Sequence, residues 1–196
     1  MYKKLNITEN HLRILSLFTN GFNKEYYIRE VSKNLKLSPR TSQLILQDLE
    51  KKGILESKTI GKIKTYVLTK SYTCQSYLIL AEQYKSIVFL EANLLIKEII
   101  EKITPFIQGI GVIFGSYAKG NAEKKSDLDI FVVGTYQEKQ VQNIAKVYGL
   151  DISIKSYPLK TFEDKLNHDY LLIEILKNHL VFLNVELLIK SVFKNG

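Results

Sequence analysis

Apolar residues recur at helical spacing three times in the first fifty residues, and each run carries end signals. The first run spans about Thr8 to Phe18, with Thr8 as N-cap and Leu12, Leu15 and Phe18 on one face. Gly21 and Asn23 then break the chain. A second run, about Tyr27 to Leu35, turns Ile28, Val31 and Leu35 inward. The third has the clearest start: Ser38 caps, Pro39 takes the first helical position, and Ser42, Ile45, Leu46 and Leu49 follow at helical intervals until Gly53. After it, ILESKTIGKIKTYVLT reads as two strands joined at Ile60-Gly61-Lys62.

Residues 71–103 hold no Pro and no Gly, which predicts one long helix or two abutting ones. Leu78, Ala81, Tyr84, Val88, Leu95 and Ile99 mark one face, while Leu80, Ile87, Leu90, Leu94, Ile96 and Ile100 mark others. Such a helix packs between two domains or forms a dimer interface, and the pattern leaves both open.

Beyond residue 104 the period changes. Gly111-Val112-Ile113-Phe114 is a short apolar strand, Gly115-Ser116 a sharp turn, and Tyr117-Ala118-Lys119 a short helix ending at Gly120. A hydrophilic loop, 121–126, leads to a second strand, Leu128 to Val133. A third strand is expected at Leu150–Ile154. In the tail, Thr161 caps a helix, and Leu171, Ile175 and Leu176 form its apolar stripe. His168 and His179 read as partly exposed helix residues rather than a metal pair.

The 196 residues suffice for two small domains. Three segments are expected: 1–70, a helical connector at 71–104, and 105–196. No apolar stretch is long enough for a membrane span, and the N-terminus lacks a signal-peptide pattern. With one cysteine, Cys74, no internal disulfide can form, so a cytoplasmic protein is expected. Charge changes the picture more. Residues 1–70 carry 14 Lys and Arg against 6 Asp and Glu, and the rest carry 14 of each. The whole excess of +8 sits in the first third, which points to a polyanionic partner there.

Candidate chemistry lies around the second strand. Asp127 and Asp129 alternate with Leu128, so both carboxylates share one face. Two carboxylates so close favour a cation, and hard oxygens at this spacing suit Mg²⁺. Asp151, on the neighbouring third strand, could stand beside them. Three carboxylates and a triphosphate could hold two metal ions for an in-line displacement. Gly115 lets a phosphate approach the backbone, Ser116 can donate to its oxygens, and Lys119 adds positive charge.

Two resemblances follow. The stretch IREVSKNLKLSPRTSQLILQDLEKKGILE resembles the winged helix-turn-helix DNA-binding family, over roughly residues 5–70. That implies a third helix reading double-stranded DNA through Arg40, Thr41, Gln43 and Gln47, beside Leu44, with Lys58, Lys62 and Lys64 of the hairpin on phosphates. The same module in other settings serves protein–protein contact. GSYAKGNAEKKSDLD resembles the signature of minimal nucleotidyltransferases of the DNA polymerase β superfamily, over roughly residues 105–160. Its match is Gly-Ser, ten intervening residues ending in Ser, then Asp-x-Asp followed by an apolar strand. The resemblance implies NTP binding by Gly115 and Ser116, Mg²⁺ ligation by Asp127 and Asp129, and Asp151 as third carboxylate and general base. Many members have Arg where this chain has Lys119, which keeps the charge but not the bidentate fork.

The expected fold is therefore α+β: a three-helix winged helix with a hairpin, and a small mixed-sheet nucleotidyltransferase core. Two function classes are expected. One is a metal-dependent nucleotidyltransferase tethered to DNA, acting on a hydroxyl acceptor. The other is a DNA-binding regulator or antitoxin whose second domain senses nucleotide or holds a protein partner such as a toxin, with a homodimer as one possible state.

Overall fold

The structure is a computed structural model that describes residues 5–123 and 125–194, with only the backbone of Ile60. Lys124, in the loop before the acidic pair, lies outside the described residues. The chain is mixed α and β and divides into two compact units, Met1–Ala81 and Glu82–Gly196, the division falling inside one helix.

The first unit holds α1 (Glu9–Phe18), β1 (Tyr26–Tyr27), α2 (Ile28–Leu35), α3 (Pro39–Lys51), β2 (Leu55–Ile60), β3 (Ile63–Leu68) and the start of α4 (Tyr72–Ala92). Ser38 caps α3 as expected, its hydroxyl accepting the Thr41 N–H at 3.0 Å. The buried face of α1 differs from the expected one. Thr8 precedes the helix, and His11 turns back to it: its Nδ1 accepts the Thr8 N–H at 3.2 Å and its Nε2 donates to Asp48 at 3.1 Å. That rotates His11, Ile14, Leu15 and Phe18 inward and leaves Leu12 half-buried. The hairpin turns at Gly61-Lys62, with Ile60 opposite Ile63. Two-residue β1 adds a third strand that apolar periodicity could not reveal. Tyr26 faces Tyr66 in the ladder, and its ring meets Phe18 edge-on at 5.0 Å.

The second unit continues from α4 through α5 (Leu94–Ile103), β4 (Ile107–Ile113), α6 (Gly115–Lys119), β5 (Leu128–Tyr136), α7 (Glu138–Tyr148), β6 (Ile152–Tyr157), α8 (Leu159–Lys165), α9 (Tyr170–Lys177), β7 (Leu180–Leu183) and α10 (Val185–Lys194). The long apolar run thus becomes two helices, broken at Asn93. Four strands form one sheet in the order β6-β5-β4-β7, with β4 antiparallel to both neighbours and β6 parallel to β5. The parallel pair requires the crossover that α7 supplies.

Alternation along β5 divides its side chains between two layers. Leu128, Ile130 and Val132 join Ile96, Ile99, Ile100 and Ile103 of α5, Val141 and Ala145 of α7, and Ile152 of β6 in the main core. The other face carries Asp129 and then Phe131, whose ring meets Tyr157 edge-on at 5.5 Å and lies 6.3 Å from Phe162 of α8. Thr161 falls inside α8 instead of capping it, and a separate α9 starts at Asp169, whose carboxylate accepts the Leu172 N–H at 3.1 Å.

His179 corrects another expectation. It is buried between α9 and β7, not an exposed helix residue. Its Nδ1–H donates to the Leu176 carbonyl at 2.9 Å, and its Nε2 lies 3.2 Å from Glu82 Oε1. Lys85 Nζ approaches the same oxygen at 2.7 Å. One turn on, the Ser86 hydroxyl donates to the Val181 carbonyl at 2.7 Å. These contacts seat this part of α4 against the outer strand β7 and the residue before it. His168, by contrast, is exposed in the turn between α8 and α9.

Burial alone would push the Glu82 carboxyl up, but the positive charges of His179 and Lys85 outweigh it and bring it down to about 2 from 4.5. A carboxylate held low in the fold stabilises above its unfolded value and loses that contribution as pH falls toward its folded one. The melting temperature of the second unit is therefore expected to fall as pH drops from about 4.5 to about 2. Glu82→Gln should flatten that slope and also cost about 3 kcal/mol near neutrality, because it removes the buried carboxylate that Lys85 and His179 contact. Thermal melts of both proteins between those limits check this, and equal slopes would contradict it.

Candidate active site

β4 and β5 deliver the two halves of the sequence motif to one place. Their ladder ends with Ile113 opposite Ile130, and the Phe114 N–H then donates to the Asp129 carbonyl at 3.0 Å. The next residue, Gly115, is carried against the Asp129 side chain. A Cβ at Gly115 would lie 2.1 Å from Asp129 Oδ2 and 2.9 Å from its Cγ. Gly115 also has φ +70°, which disfavours any residue with a Cβ. Only glycine admits both the turn and the carboxylate. From here α6 runs one turn to Gly120, and the Ser116 carbonyl accepts the Asn121 N–H at 3.1 Å.

The described part of the loop before β5 is a closed turn. Ser126 N–H donates to the Glu123 carbonyl at 3.0 Å, and the Ser126 hydroxyl accepts the Glu123 N–H at 2.8 Å. Asp127 is exposed, Leu128 fully buried and Asp129 half-buried, the alternation expected of a strand beginning at a surface. Partial burial, then the charge of Asp127, raise the Asp129 carboxyl above its ordinary value, with Lys155 acting in the opposite direction. The two acids thus feel each other's charge.

Asp151 stands just before β6. Leu128 faces Ile152 in the parallel ladder, and the Leu128 N–H donates to the Asp151 carbonyl at 2.8 Å. By that register Asp151 is lateral to Asp127, and Ser153 is lateral to Asp129. Among the described residues, no group of three His, Cys, Asp or Glu side chains is gathered closely enough to hold a metal ion. The fold therefore draws Asp127 and Asp129 together and leaves Asp151 at the rim. Lys155, two residues beyond Ser153 on the same face, is a neighbour that motif reading missed. Period two along β6 was the signal that could have found it.

Ser116 is half-buried in the first turn of α6, and Lys119 is exposed at its end. Lys119 bears electrostatically on Glu174 of α9, whose carboxyl is held low first by its hydrogen bond from Lys177.

In the first unit, Arg40 is exposed while Thr41, Gln43 and Gln47 are half-buried along α3. Thr41 Oγ1 lies 2.8 Å from the capping Ser38 hydroxyl. Leu44, at 49% exposure, lies among them. The hairpin lysines differ in commitment. Lys58 is ion-paired with Glu25 and Lys64 with Glu50, the latter at 2.8 Å. Lys62, in the turn, is exposed.

Residues 95–191 match the nucleotidyltransferase domain family. That span runs from α5 into α10 and contains the glycine turn and all three acids. A Methanocaldococcus jannaschii protein named "Putative protein adenylyltransferase" is 34% identical over 76 residues, 39% of this chain and 56% of that relative. The chain thus spans little more than half the length of this curated relative. Among solved structures, an Archaeoglobus fulgidus protein at 22% identity covers 45% of this chain and 93% of its own, with a TM-score of 0.36. The archaeal chromatin protein TrmBL2, described as showing a novel mode of DNA binding, covers 85% of this chain and 68% of its own, at 16% identity and a TM-score of 0.28.

The contact between Gly115 and Asp129 sets a measurable coupling. Gly115→Ala is expected to destabilise the second unit by about 2–3 kcal/mol, from backbone strain plus the clash. In an Asp129→Ala background the same change should cost at least about 1 kcal/mol less, since the obstructing carboxylate is gone. Denaturant titration of the four proteins gives the cycle, and additive costs would contradict the close approach.

Proposed function

We propose that the second unit transfers a nucleoside monophosphate from an NTP to a hydroxyl acceptor. The observation that carries this reading is the meeting of Gly115 with Asp129, which joins a phosphate-accessible turn to a carboxylate pair. The family match over residues 95–191 supports it. The name of the Methanocaldococcus jannaschii relative makes a protein side chain a reasonable acceptor.

Asp127 and Asp129 fit a divalent cation. Their oxygens are hard donors, and the Asp129 carboxyl is raised by its partial burial and then by the charge of Asp127 beside it. Asp127 and Asp129 would hold Mg²⁺, in one or two ions, and Asp151, which is not gathered with them, would have to turn in from the rim to serve as third ligand. The metal would supply Lewis-acid charge at the triphosphate. This chain's own residues do the rest. Gly115 lets the turn lie directly against the acidic pair, and the Ser116 hydroxyl donates to a phosphate oxygen. Lys119 and Lys155 offset charge at the rim. The acceptor oxygen bonds the α-phosphorus, the bond to the β-phosphate bridge breaks and pyrophosphate leaves. Asp151, exposed beside Asp127, takes the hydroxyl proton.

For the first unit we propose a winged helix that binds double-stranded DNA through α3 and the hairpin. Its excess of basic side chains, 14 against 6 acidic ones over residues 1–70, supports this. The same charge favours a second reading, in which the chain is a DNA-bound regulator or antitoxin and its second unit senses nucleotide. Both readings place the protein in the cytoplasm, and a homodimer would present two copies of α3 to two half-sites.

Incubation with radiolabelled ATP, GTP, CTP or UTP, Mg²⁺ and cell extract is expected to yield labelled product with at least one nucleotide. Asp127→Ala and Asp129→Ala should each lower the rate by about 1,000-fold or more, and Asp151→Asn by about 100-fold. No transfer with any of the four nucleotides would leave the regulator reading. Gel-shift affinity for a duplex should fall about tenfold or more between 50 and 200 mM salt if lysines and arginines meet phosphates. Salt-independent binding would argue against the phosphate contacts.

A further inference from the structure

A groove in the first unit borders Lys62 and Lys64, the hairpin lysines that the DNA-binding reading sets on phosphates. Its origin is geometric. β1 pairs with β3 for only two residues, the last being Tyr27 opposite Thr65. At Ile28 the chain turns into α2 and leaves the strand. The two runs that would have continued the ladder, Tyr27-Ile28-Arg29 and Lys62-Ile63-Lys64, diverge instead and line a cavity of about 480 Å³. That is the size range of small-molecule sites.

The lining is chemically one-sided. Its charged side chains, Arg29, Lys62 and Lys64, are all cationic. Lys64 is already paired with Glu50 at 2.8 Å, and its Nζ lies 5.1 Å from the centre of the Tyr66 ring. Arg29 and Lys62, both exposed and on opposite banks, provide the positive charge that remains available. Between them stand a half-buried aromatic ring, Tyr27, and an isoleucine, Ile63, that keeps 54% exposure on a strand. A half-buried ring and an exposed aliphatic side chain flanked by a guanidinium and an ammonium suit a ligand with a flat apolar part and a phosphate. The guanidinium fork matches phosphate oxygens in pairs, the ammonium adds a point charge, and the ring offers a stacking face.

We infer that this groove binds a nucleoside phosphate, with the phosphate between Arg29 and Lys62 and the base against Tyr27 and Ile63. The ligand is a free nucleotide, because Tyr27 and Ile63 require an unstacked base that a duplex does not offer. The inference does not depend on the transferase reading, because none of its residues lies in the second unit, and it is distinct from the DNA-binding reading, which requires only phosphate contacts of the hairpin.

The test uses the full chain in EDTA, which removes divalent ions from any triphosphate site. Radiolabelled ATP is followed by equilibrium dialysis, and a fluorescein-labelled 20-base-pair duplex by anisotropy. Arg29→Glu is expected to weaken ATP by about tenfold or more, and Arg29→Lys, which keeps the charge but not the fork, to fall between the parent and Arg29→Glu. Weakening of the duplex alone overturns the inference and leaves Arg29 to the DNA-binding surface. Arg29 is exposed, so both variants should melt within about 2 °C of the parent, which separates lost binding from lost folding. The inference is also overturned if Arg29→Glu leaves ATP within about twofold of the parent, or if ATP does not bind the parent. Transfer of label in Mg²⁺ is scored separately and rises or falls with Asp127 and Asp129 instead.

Discussion

Gly115 has no Cβ, and the Asp129 carboxylate occupies the space where that atom would be. Most of the second unit's local architecture can be traced to this contact. β4 must end at Ile113 so that the turn falls beside Asp129, and the turn must take a left-handed φ, which glycine tolerates. The hydrogen bond from Phe114 to the Asp129 carbonyl holds the two backbones in register while their side chains diverge. The acid is thereby half-buried but not enclosed, and its remaining surface faces whatever approaches the turn.

The layering of β5 explains why an acidic site can lie so close to a hydrophobic core. Leu128 and Ile130 enter the core formed with α5, α7 and β6, and Asp129 projects from the opposite side between them. Rigid packing on one face thus positions a polar group on the other, at the cost of a partial burial that raises the Asp129 carboxyl. Phe131, two residues on, returns that outer face to an apolar environment with Tyr157 and Phe162. The polar zone is therefore confined to the beginning of the strand. A second pair of glycines, Gly109 and Gly134, faces across the far end of the same ladder, where either Cβ would meet the opposite carbonyl region at 2.0 Å.

The main helices and the paired strands were legible from periodicity, capping residues and Gly or Pro punctuation. Asp127 and Asp129 were legible as sharing one face, because strand alternation is a local rule. What escaped was set by contacts distant in sequence. β1 is two residues long and exists because β3 offers it an edge. His11 turned inward because Asp48, thirty-seven positions later, receives its Nε2–H. His179 looked like a surface residue because its partner, Glu82, lies on another helix almost a hundred residues earlier. Lys155 became a neighbour of Asp129 only once the parallel register was known. The position of Asp151 was readable, but no local pattern shows whether its side chain converges on the pair.

The contact between Glu82 and His179 also orders events in time. During synthesis Glu82 leaves the ribosome many seconds before His179 at ordinary elongation rates of roughly 5–20 residues per second. For that interval the acid has Lys85 but not the imidazole, and β4 has β5 but lacks β7. A buried carboxylate lacking one of its two partners is costly, so this stretch of α4 stays hydrated while the glycine turn and the acidic pair already have their strands. The nascent chain therefore holds the glycine turn and the acidic pair on an open-edged sheet before it holds a finished domain. That edge is where a chaperone or a neighbouring nascent chain would first find it.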